Sequence, residues 1–512
     1  MPGLDQWQMA GRVAAIRNRW PAVGLAVGVV RNGALEFFSG QGLADIASRT
    51  PVTEDTAFRI ASITKTVTAI AVLQLWEQGQ VDLDGPANDY LRAYRLVPAK
   101  AGFRPATVRH LLTHTAGIRE MLHPSGLLRM RDLGETVPSG RPVPSLAEYY
   151  RGGLRIDAEP GTRFMYTDHG FATLGQLVED VTGQPLNRYL REHVFAPLGM
   201  AHTDLVRSER VRSRLATGYE LRPHGAEAVH DYEVVTAGGG GVQSTPVDMA
   251  RYLAALLGGG ANGHGRVLEP ATVATMFRPH YQPDPRIPGM GLAFFRTDTG
   301  GHLAVEHDGI LPGFDAQILL APDDGLGVMA FANGARRGMH WLAPEAAGLL
   351  NELLGVPDAV IRTDIAHHPE LWADLCGRYP FSAHLTDPAK LAIGAGAEVM
   401  VRRGRLVMRL LSPIPALHRG FLLHPDDETD PYVFRVELPW FGIGTTRVVF
   451  SQAPAGGTTA LHLEVGPVSF QKKPTARSPR AAVNGALGAR ALAATATGVG
   501  RPRRRRRSVA ST

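Results

Sequence analysis

The chain of 512 residues is 44% hydrophobic and 20% charged, a composition typical of a globular protein with a large buried core. Its formal net charge of +6 comes from nine arginines in residues 476–512, a stretch without acids, so that residues 1–475 carry −3. That balance argues against a nucleic-acid-binding domain, and the single cysteine, Cys376, excludes an internal disulfide and a cysteine metal cluster.

The beginning of the chain lacks the basic and apolar regions of a secretion signal, and we expect an amphipathic helix that runs to about Arg19. The sequence contains no stretch of about 20 apolar residues, so we expect no membrane span and a cytoplasmic location. The β-branched run 23–30 and the segment 35–38 flank Asn32-Gly33, a combination that predicts a β-hairpin.

A serine and a lysine stand three residues apart at the head of the apolar run 66–76, which predicts a buried helix. Residues i and i+3 share one face of a helix, so Lys65 can lie beside Ser62 and take its proton if burial partly neutralises the ammonium. The helix N-terminus also favours negative charge near the serine. The pair alone is a weak signal, and the alternative is an ordinary core helix with Ser62 as its N-cap.

Predicted helices dominate the chain from Ser62 to about residue 256. Strands are expected again at residues 291–295, 302–306, 316–320 and 326–332, followed by a helix at 341–354. Strands at both ends with helices between them predict an α/β (α+β) sandwich, in which distant parts of the chain form one antiparallel sheet beside a helical region. The glycine run 238–241 lacks the remainder of a phosphate-loop motif and is expected to be a flexible loop.

The sequence pattern changes at about residue 366. Beyond it, short segments of alternating apolar and polar residues, separated by turn residues, predict a small all-β, barrel-like domain. The predicted domains are therefore 1–357, 366–474 and an Arg-rich tail, 475–512. The tail has no periodic hydrophobicity and is expected to be disordered. We interpret it as a solvated basic segment without a specific nucleic-acid partner.

Three motifs in the expected order resemble those of a known family. Residues 62–65 match Ser-x-x-Lys, residues 166–168 (Tyr-Thr-Asp) resemble Tyr-x-Asn, and residues 307–309 (His-Asp-Gly) resemble the His-x-Gly form of the Lys-Thr-Gly motif. Over roughly residues 8–355 the chain thus resembles the serine β-lactamase-like superfamily. Its members include class C β-lactamases, D-Ala-D-Ala peptidases, and related esterases and D-aminopeptidases.

The resemblance implies a β-lactamase-like antiparallel sheet flanked by helices and a serine hydrolase that works through an acyl-enzyme, without metal or organic cofactor. Ser62 would be the nucleophile, Lys65 would help to deprotonate it, and Tyr166 would pass the proton to the leaving group. The backbone N–H groups of Ser62 and Ile310 would form the oxyanion hole. Gly309 would leave room for the substrate against the strand edge.

Two positions depart from the family pattern. Asp168 stands where Asn is usual, and a carboxylate cannot donate a hydrogen bond to a β-lactam amide but can pair with Lys65. That pairing shifts the burden of proton transfer to Tyr166, whose pKa a nearby Lys65 ammonium would lower. His307 stands where Lys is usual and, being neutral over much of the physiological range, is a weaker anchor for a substrate carboxylate.

These departures predict a serine hydrolase whose partner is a small, neutral ester, with no membrane involved. The alternative is an amide- or peptide-directed enzyme, namely a D-aminopeptidase, a D-Ala-D-Ala carboxypeptidase-like enzyme or a β-lactamase. Asp168 supports the aminopeptidase version, since a carboxylate could hold a substrate amine. A non-catalytic binding module is a third alternative. We interpret His110 and His114 as structural, and residues 119–145 as a candidate roof of the cleft.

Overall fold

The computed structural model describes residues 5–120, 135–334, 341–357, 360–381, 394–438 and 444–473. The tail 475–512, which is predicted to be disordered, lies outside these residues, as does most of the candidate roof at residues 119–145. None of the described helices is long and apolar enough to cross a membrane.

Six helices of eight or more residues occur in the described part of the chain. They are α1 (Gln6–Arg19), α2 (Thr64–Glu77), α3 (Asp168–Thr182), α4 (Pro246–Leu257), α5 (Pro270–Phe277) and α6 (Leu342–Leu354). Shorter α-helices are Val108–Leu112, Leu146–Tyr149, Leu186–Leu190, Glu209–Arg212, Ala237–Gly240, Trp372–Leu375 and Pro415–His418. The 3-10 turns are Ala61–Ile63, Ala87–Asp89, Pro322–Asp324 and Pro369–Leu371, and Arg191–Phe195 is a π turn.

One antiparallel sheet of seven strands organises the first two thirds of the chain. Its strands are β1 (Gly24–Arg31), β2 (Ala34–Asp45), β3 (Thr50–Pro51), β4 (Phe295–Thr299), β5 (His302–Leu311), β6 (Phe314–Ala321) and β7 (Leu326–Asn333). Their spatial order is β4-β5-β6-β7-β1-β2-β3. Strands β1 and β7 pair from Gly24 opposite Asn333 to Arg31 opposite Leu326, so distant parts of the chain do form a single sheet, as predicted.

The sheet is covered by helices on both faces. Helices α1 and α6 pack on one face through an apolar cluster that includes Val13, Val27 and Leu349. On the other face lies a larger core that includes α2, whose residues from Thr64 to Leu75 are all buried. A helix that is apolar all round is stable only inside a protein, and this burial places its N-terminus deep in the molecule.

The hairpin predicted from the turn residues Asn32 and Gly33 is confirmed, whereas one strand predicted from hydrophobicity is not. The hairpin between β1 and β2 turns through Asn32 and Gly33 with φ values of 50° and 78°, which these residue types tolerate. The predicted strand at 291–295 is wrong, because the strand begins only at Phe295. Ala293 adopts a left-handed φ of 64° and donates its N–H to the carbonyl of Leu112, so this segment is a turn.

Residues beyond 366 form two further antiparallel sheets around one core, which agrees with the predicted all-β region. The first sheet contains Gly377–Pro380, Gly396–Arg402, Arg405–Leu410 and Phe421–Leu422. The second contains His424–Pro425, Val433–Glu437, Thr445–Gln452, Thr458–Leu463 and Ser469–Gln471. Both contribute to a cluster that includes Tyr379, Met408 and Phe450. The domain boundaries at 357 and 366 stay a prediction.

Four two-stranded pairings complete the fold. They join Phe58–Arg59 to Gln243–Ser244, Leu96–Pro98 to Leu154–Ile156, Thr136–Pro138 to Tyr232–Val234, and Tyr219–Arg222 to Gly225–Ala228. The first of these holds the chain just before the Ser62 turn and thereby positions the start of α2.

Candidate active site

Ser62 lies in the 3-10 turn that leads into α2, and its side chain is half-buried. The N-cap of α2 is Ile63, so the alternative of Ser62 as the helix cap is wrong. Ala61, directly before the serine, has a left-handed φ of 48°, a conformation that is unfavourable for a residue with a Cβ. This kink brings the serine to the head of the buried helix.

The Lys65 side chain is completely buried, and its ammonium makes three close hydrogen bonds. Nζ donates to Ser62 Oγ at 2.9 Å, to Asp168 Oδ1 at 2.5 Å and to the carbonyl of Gly239 at 2.8 Å. An ammonium has three N–H groups, and these partners use all of them. The structure thus brings together Ser62, Lys65 and Asp168 as the motifs predict.

The glycine run 238–241 is not the flexible loop that its composition predicts. Ala237–Gly240 is a short buried helix, and the carbonyl of Gly238 accepts a hydrogen bond from Thr68 at 2.7 Å. A Cβ on Gly239 would lie 3.0 Å from the carbonyl oxygen of Asp168. The glycines therefore allow this turn to approach α3 closely. The carbonyl of Gly239 is a hydrogen-bond acceptor for the Lys65 ammonium that the motifs did not predict.

Tyr166 lies across from the lysine and is held by His114. Lys65 Nζ is 4.9 Å from the centroid of the Tyr166 ring. The His114 ring stacks on the same tyrosine ring, with the two ring centroids 4.3 Å apart. His114 Nδ1 accepts the N–H of Thr167 at 3.2 Å, and its carbonyl accepts the N–H of Met165 at 2.7 Å. His114 thus makes the structural hydrogen bonds that were predicted for it.

His110 also has a structural role. Its N–H and ring nitrogen bond reciprocally with Thr107 at the start of the helix Val108–Leu112.

The ionisation of the lysine agrees with the predicted pairing to Asp168, whereas the ionisation of the tyrosine differs from the expectation. Burial has the largest single effect on the pKa of Lys65 and acts to lower it, but Asp168 and Tyr166 together outweigh burial and the net pKa is raised. Burial raises the pKa of Tyr166 above its ordinary value, and the opposing effect of the Lys65 ammonium is smaller. The expectation of a lowered tyrosine pKa is therefore wrong, because loss of hydration dominates. Both groups are protonated in the resting site.

The strand β5 supplies the remaining motif. Burial, with the nearby Lys65 ammonium, lowers the pKa of His307 to about 4, so the ring is neutral at physiological pH as predicted. Its Nδ1 lies 2.6 Å from the carbonyl oxygen of Asp308, so Nδ1 carries the proton. Within the described residues, its buried Nε2 has no hydrogen-bond partner.

Gly309 brings β5 against the serine turn. A Cβ at this position would lie 2.4 Å from the carbonyl oxygen of Ile60 and 2.9 Å from the backbone nitrogen of Ser62. The missing side chain thus allows two backbones to approach, a more direct reason for glycine than room for a substrate. The next residue, Ile310, is 37% exposed, so its backbone lies at the accessible edge of the site.

Sequence reasoning missed one carboxylate of the site. Glu120 accepts the backbone N–H of Asp168, the first residue of α3, at 2.7 Å. Burial, and then the charge of Asp168, raises the pKa of Glu120 to about 8. No motif marks this glutamate, since its role depends on a contact across 48 residues. The described residues contain no group of three or more His, Cys, Asp or Glu side chains suited to hold a metal ion.

Comparison with known proteins gives relatives of several activities. Esterase EstB of Burkholderia gladioli is 32% identical over 282 residues, which cover 49% of this chain and 71% of the relative. A D-aminopeptidase of Brucella ovis is 27% identical over 369 residues, covering 70% of this chain and 65% of the relative. Both relatives resemble the hydrolase part identified from the motifs, although their named activities differ.

Two solved structures share the fold. An octameric penicillin-binding protein homologue from Pyrococcus abyssi superposes with a TM-score of 0.60 at 22% identity, covering 92% of this chain and 100% of its own. EstCE1, a hydrolase with promiscuous acyltransferase activity, gives a TM-score of 0.56 at 23% identity over 65% of this chain and 96% of its own. At this identity the likeness concerns the fold alone.

The family model described as Beta-lactamase matches residues 13–349, more than half of the chain and nearly all of the part that contains the three motifs. The chain therefore belongs to the Beta-lactamase family of serine hydrolases.

Proposed function

We propose that the protein hydrolyses a small neutral ester through an acyl-enzyme on Ser62. The observation that carries this proposal is the state of the one lysine beside the nucleophile. Lys65 has all its N–H groups engaged by Ser62, Asp168 and Gly239, so it has none left to bind a substrate carboxylate. The neutral His307 supplies no charge in its place. Such a site suits a substrate without a carboxylate.

The same arrangement supports a concerted proton relay. The Lys65 ammonium donates to Ser62 Oγ and stabilises the negative charge that develops there as the serine attacks the ester carbonyl. Tyr166, protonated at rest, gives its phenolic proton to the departing alcohol while it takes the proton of the serine. The ester C–O bond breaks, the alcohol leaves neutral, and the acyl group stays on Ser62. Water then releases the acid by the reverse relay.

The oxyanion of each tetrahedral intermediate would be held by the backbone N–H groups of Ser62 and Ile310. Gly309 keeps β5 close enough to the serine turn for both N–H groups to reach one oxygen, since a Cβ there would collide with Ile60. Each preorganised donor of this kind typically lowers the activation free energy by about 2.7–4 kcal/mol.

An amide-directed activity is the second candidate, and the Asp168–Glu120 pair favours it. The carboxyl group of Glu120 accepts the backbone N–H of Asp168 at the N-terminus of α3, and a substrate amine could approach these two acids. The D-aminopeptidase relative is consistent with that reading. The ester is preferred because Asp168 is already paired with Lys65 at 2.5 Å. A binding module without activity is disfavoured by the intact contact between Ser62 and Lys65.

The first experiment is intact-mass analysis of the full chain after treatment with a fluorophosphonate, with peptide mapping and Ser62→Ala as the control. A single adduct on Ser62 that disappears in the folded variant supports an activated nucleophile. Kinetics with p-nitrophenyl esters, D-amino-acid p-nitroanilides and nitrocefin then separate the candidates. Turnover of the anilide or nitrocefin but not of esters would overturn the ester proposal.

The absence of any adduct on a folded protein would favour the binding module. The cytoplasmic location stays a prediction, which fractionation of cells that produce the full chain would test.

A further inference from the structure

Three half-buried aromatic side chains continue from the catalytic tyrosine towards the C-terminal sheets. The Phe295 ring lies 6.3 Å from Tyr166 and 5.5 Å from His307. Phe164 lies 6.0 Å from Phe295 and stacks on Tyr281 at 6.5 Å with an interplanar angle of 25°. We call Phe164, Tyr281 and Phe295 the aromatic wall. Rings at these separations form one contiguous apolar surface beside the reacting groups.

Tyr281 links the aromatic wall to the second C-terminal sheet. The backbone of Phe164 and the side chain of Ser469, which lies on the last strand of that sheet, act on the Tyr281 hydroxyl as hydrogen-bond partners and oppose the rise of its pKa on burial. Ser469 Oγ is 2.7 Å from His462 Nδ1, and His462 Nε2 is 2.9 Å from Ser451 Oγ. A continuous line of hydrogen bonds thus leaves the active-site region and crosses three strands.

The line returns to the segment that carries Tyr281. Ser451 Oγ donates to Asp284 Oδ2 at 2.5 Å, and Asp284 pairs with Arg286 at 2.8 Å. Arg286 also reaches Asp430 at 2.8 Å and the carbonyl of Phe450 at 2.9 Å. Both ends of the segment 281–287 are therefore fastened to the same sheet.

Apolar packing strengthens the attachment. Ile287 is 1% exposed and clusters with Val433 and Val449 of the second C-terminal sheet. Burial of an isoleucine side chain is favourable, so the segment is held by packing as well as by hydrogen bonds. The C-terminal region is consequently part of the framework that fixes Tyr281.

We propose that the aromatic wall binds the apolar, flat acyl group of the ester, and that the second C-terminal sheet keeps the wall in place through Ser469 and Tyr281. This inference rests on the proposed function and names the substrate class of that site. An aryl acyl group stacks on offset rings and loses its hydration there, whereas an acetyl group is too short to reach beyond Tyr166. A charged acyl group would lose solvation on an apolar surface without gaining a partner.

The test compares kcat/KM for p-nitrophenyl phenylacetate with that for p-nitrophenyl acetate in the full chain. The unchanged protein is expected to prefer phenylacetate. Phe295→Leu is expected to reduce the ratio of the two kcat/KM values about tenfold, mainly through a higher KM for phenylacetate. Tyr281→Phe and Ser469→Ala, which act on positioning, are expected to reduce it about threefold.

Gln471→Ala is the matched control, because it removes an exposed polar side chain from the same strand as Ser469. It is expected to keep the preference. An unchanged preference in all three folded variants, or no preference in the unchanged protein, overturns the aromatic wall. A purely structural role of Ser469 would reduce both esters equally.

The failure of the proposed function is distinguishable. If Ser62 is labelled but no ester is turned over, the ester proposal fails, while labelling rates with phenyl and methyl fluorophosphonates still compare the aromatic wall across the same variants. Equal rates for both reagents in every protein would overturn the aromatic wall as well.

Discussion

Lys65 Nζ and Asp168 Oδ1 lie 2.5 Å apart, and this ion pair joins the start of α2 to the start of α3 in the middle of the molecule. Lys65 is fully buried, whereas the Asp168 side chain is 21% exposed. A buried ammonium is tolerated only with a partner, so this aspartate compensates the positive charge beside Ser62. This contact helps to keep Lys65 protonated in the folded protein.

Replacement of Asp168 by Asn is therefore expected to destabilise the fold by about 3 kcal/mol, because it leaves a buried cation without its counter-charge. In the unchanged protein the pKa of Lys65 is raised above its unfolded value, so the stabilisation from the ion pair is constant at pH values well below 10. It is lost only when the pH rises above 10, towards the raised pKa of the folded lysine. In the variant the lysine pKa falls below its unfolded value, so the folded state binds fewer protons and stability increases with pH.

Urea unfolding at pH 7 and pH 9 measures both effects, with the exposed Asp89→Asn as control. Equal stability of Asp168→Asn and the unchanged protein, with no difference in slope between the two pH values, would show that the ion pair is unimportant.

His307 makes the fold sensitive to acid. Its folded-state pKa of about 4 lies below the ordinary value of 6.5, so the folded state binds fewer protons than the unfolded chain between these values. Its stabilisation is present above pH 6.5 and is lost as the pH falls towards 4. His307→Gln is expected to reduce the loss of unfolding free energy between pH 7 and pH 4.5 by about 1–2 kcal/mol.

Urea midpoints at the two pH values give this difference, and the exposed His224→Gln should behave like the unchanged protein. Buried His114 and His169 also have lowered pKa values, so acid sensitivity is expected to decrease but not to disappear in His307→Gln. An identical loss in both proteins would argue against the titration of His307.

His114 positions Tyr166 by holding the amides on either side of it. His114→Ala removes the stacked ring and the acceptor for the N–H of Thr167, and kcat is expected to fall about 10- to 100-fold with little change in KM. His114→Asn should recover most of the rate, because its amide oxygen can accept the same N–H and Asn tolerates the φ of 56°. Failure of Asn to exceed Ala would refute the acceptor role.

Gly309 fixes the distance between β5 and the serine turn. Gly309→Ala places a Cβ against the backbone of Ile60 and is expected to cost about 1–3 kcal/mol of stability and to slow fluorophosphonate labelling of Ser62 at least about tenfold. Gly11→Ala is the control: a Cβ there meets nothing within 4 Å in the middle of α1. It should raise stability by about 0.5–1 kcal/mol and leave labelling unchanged.

The sequence alone determined the local features of this protein. The apolar run after Lys65 indicated a buried helix, Asn32-Gly33 indicated a hairpin, and the spacing of Ser62 and Lys65 placed a hydroxyl beside an amine. These inferences hold because periodicity and turn chemistry act over a few residues, where sequence neighbours are also spatial neighbours.

Only the tertiary structure decided which charges and rings meet. The contacts of Lys65 with Gly239, of Asp168 with Glu120, and of Tyr281 with Ser469 each join residues separated by dozens of positions or more. The protonation of Tyr166 likewise depends on burial by packed neighbours, which outweighs the nearby ammonium. Desolvation and close approach are properties of the assembled core, so no local pattern encodes them.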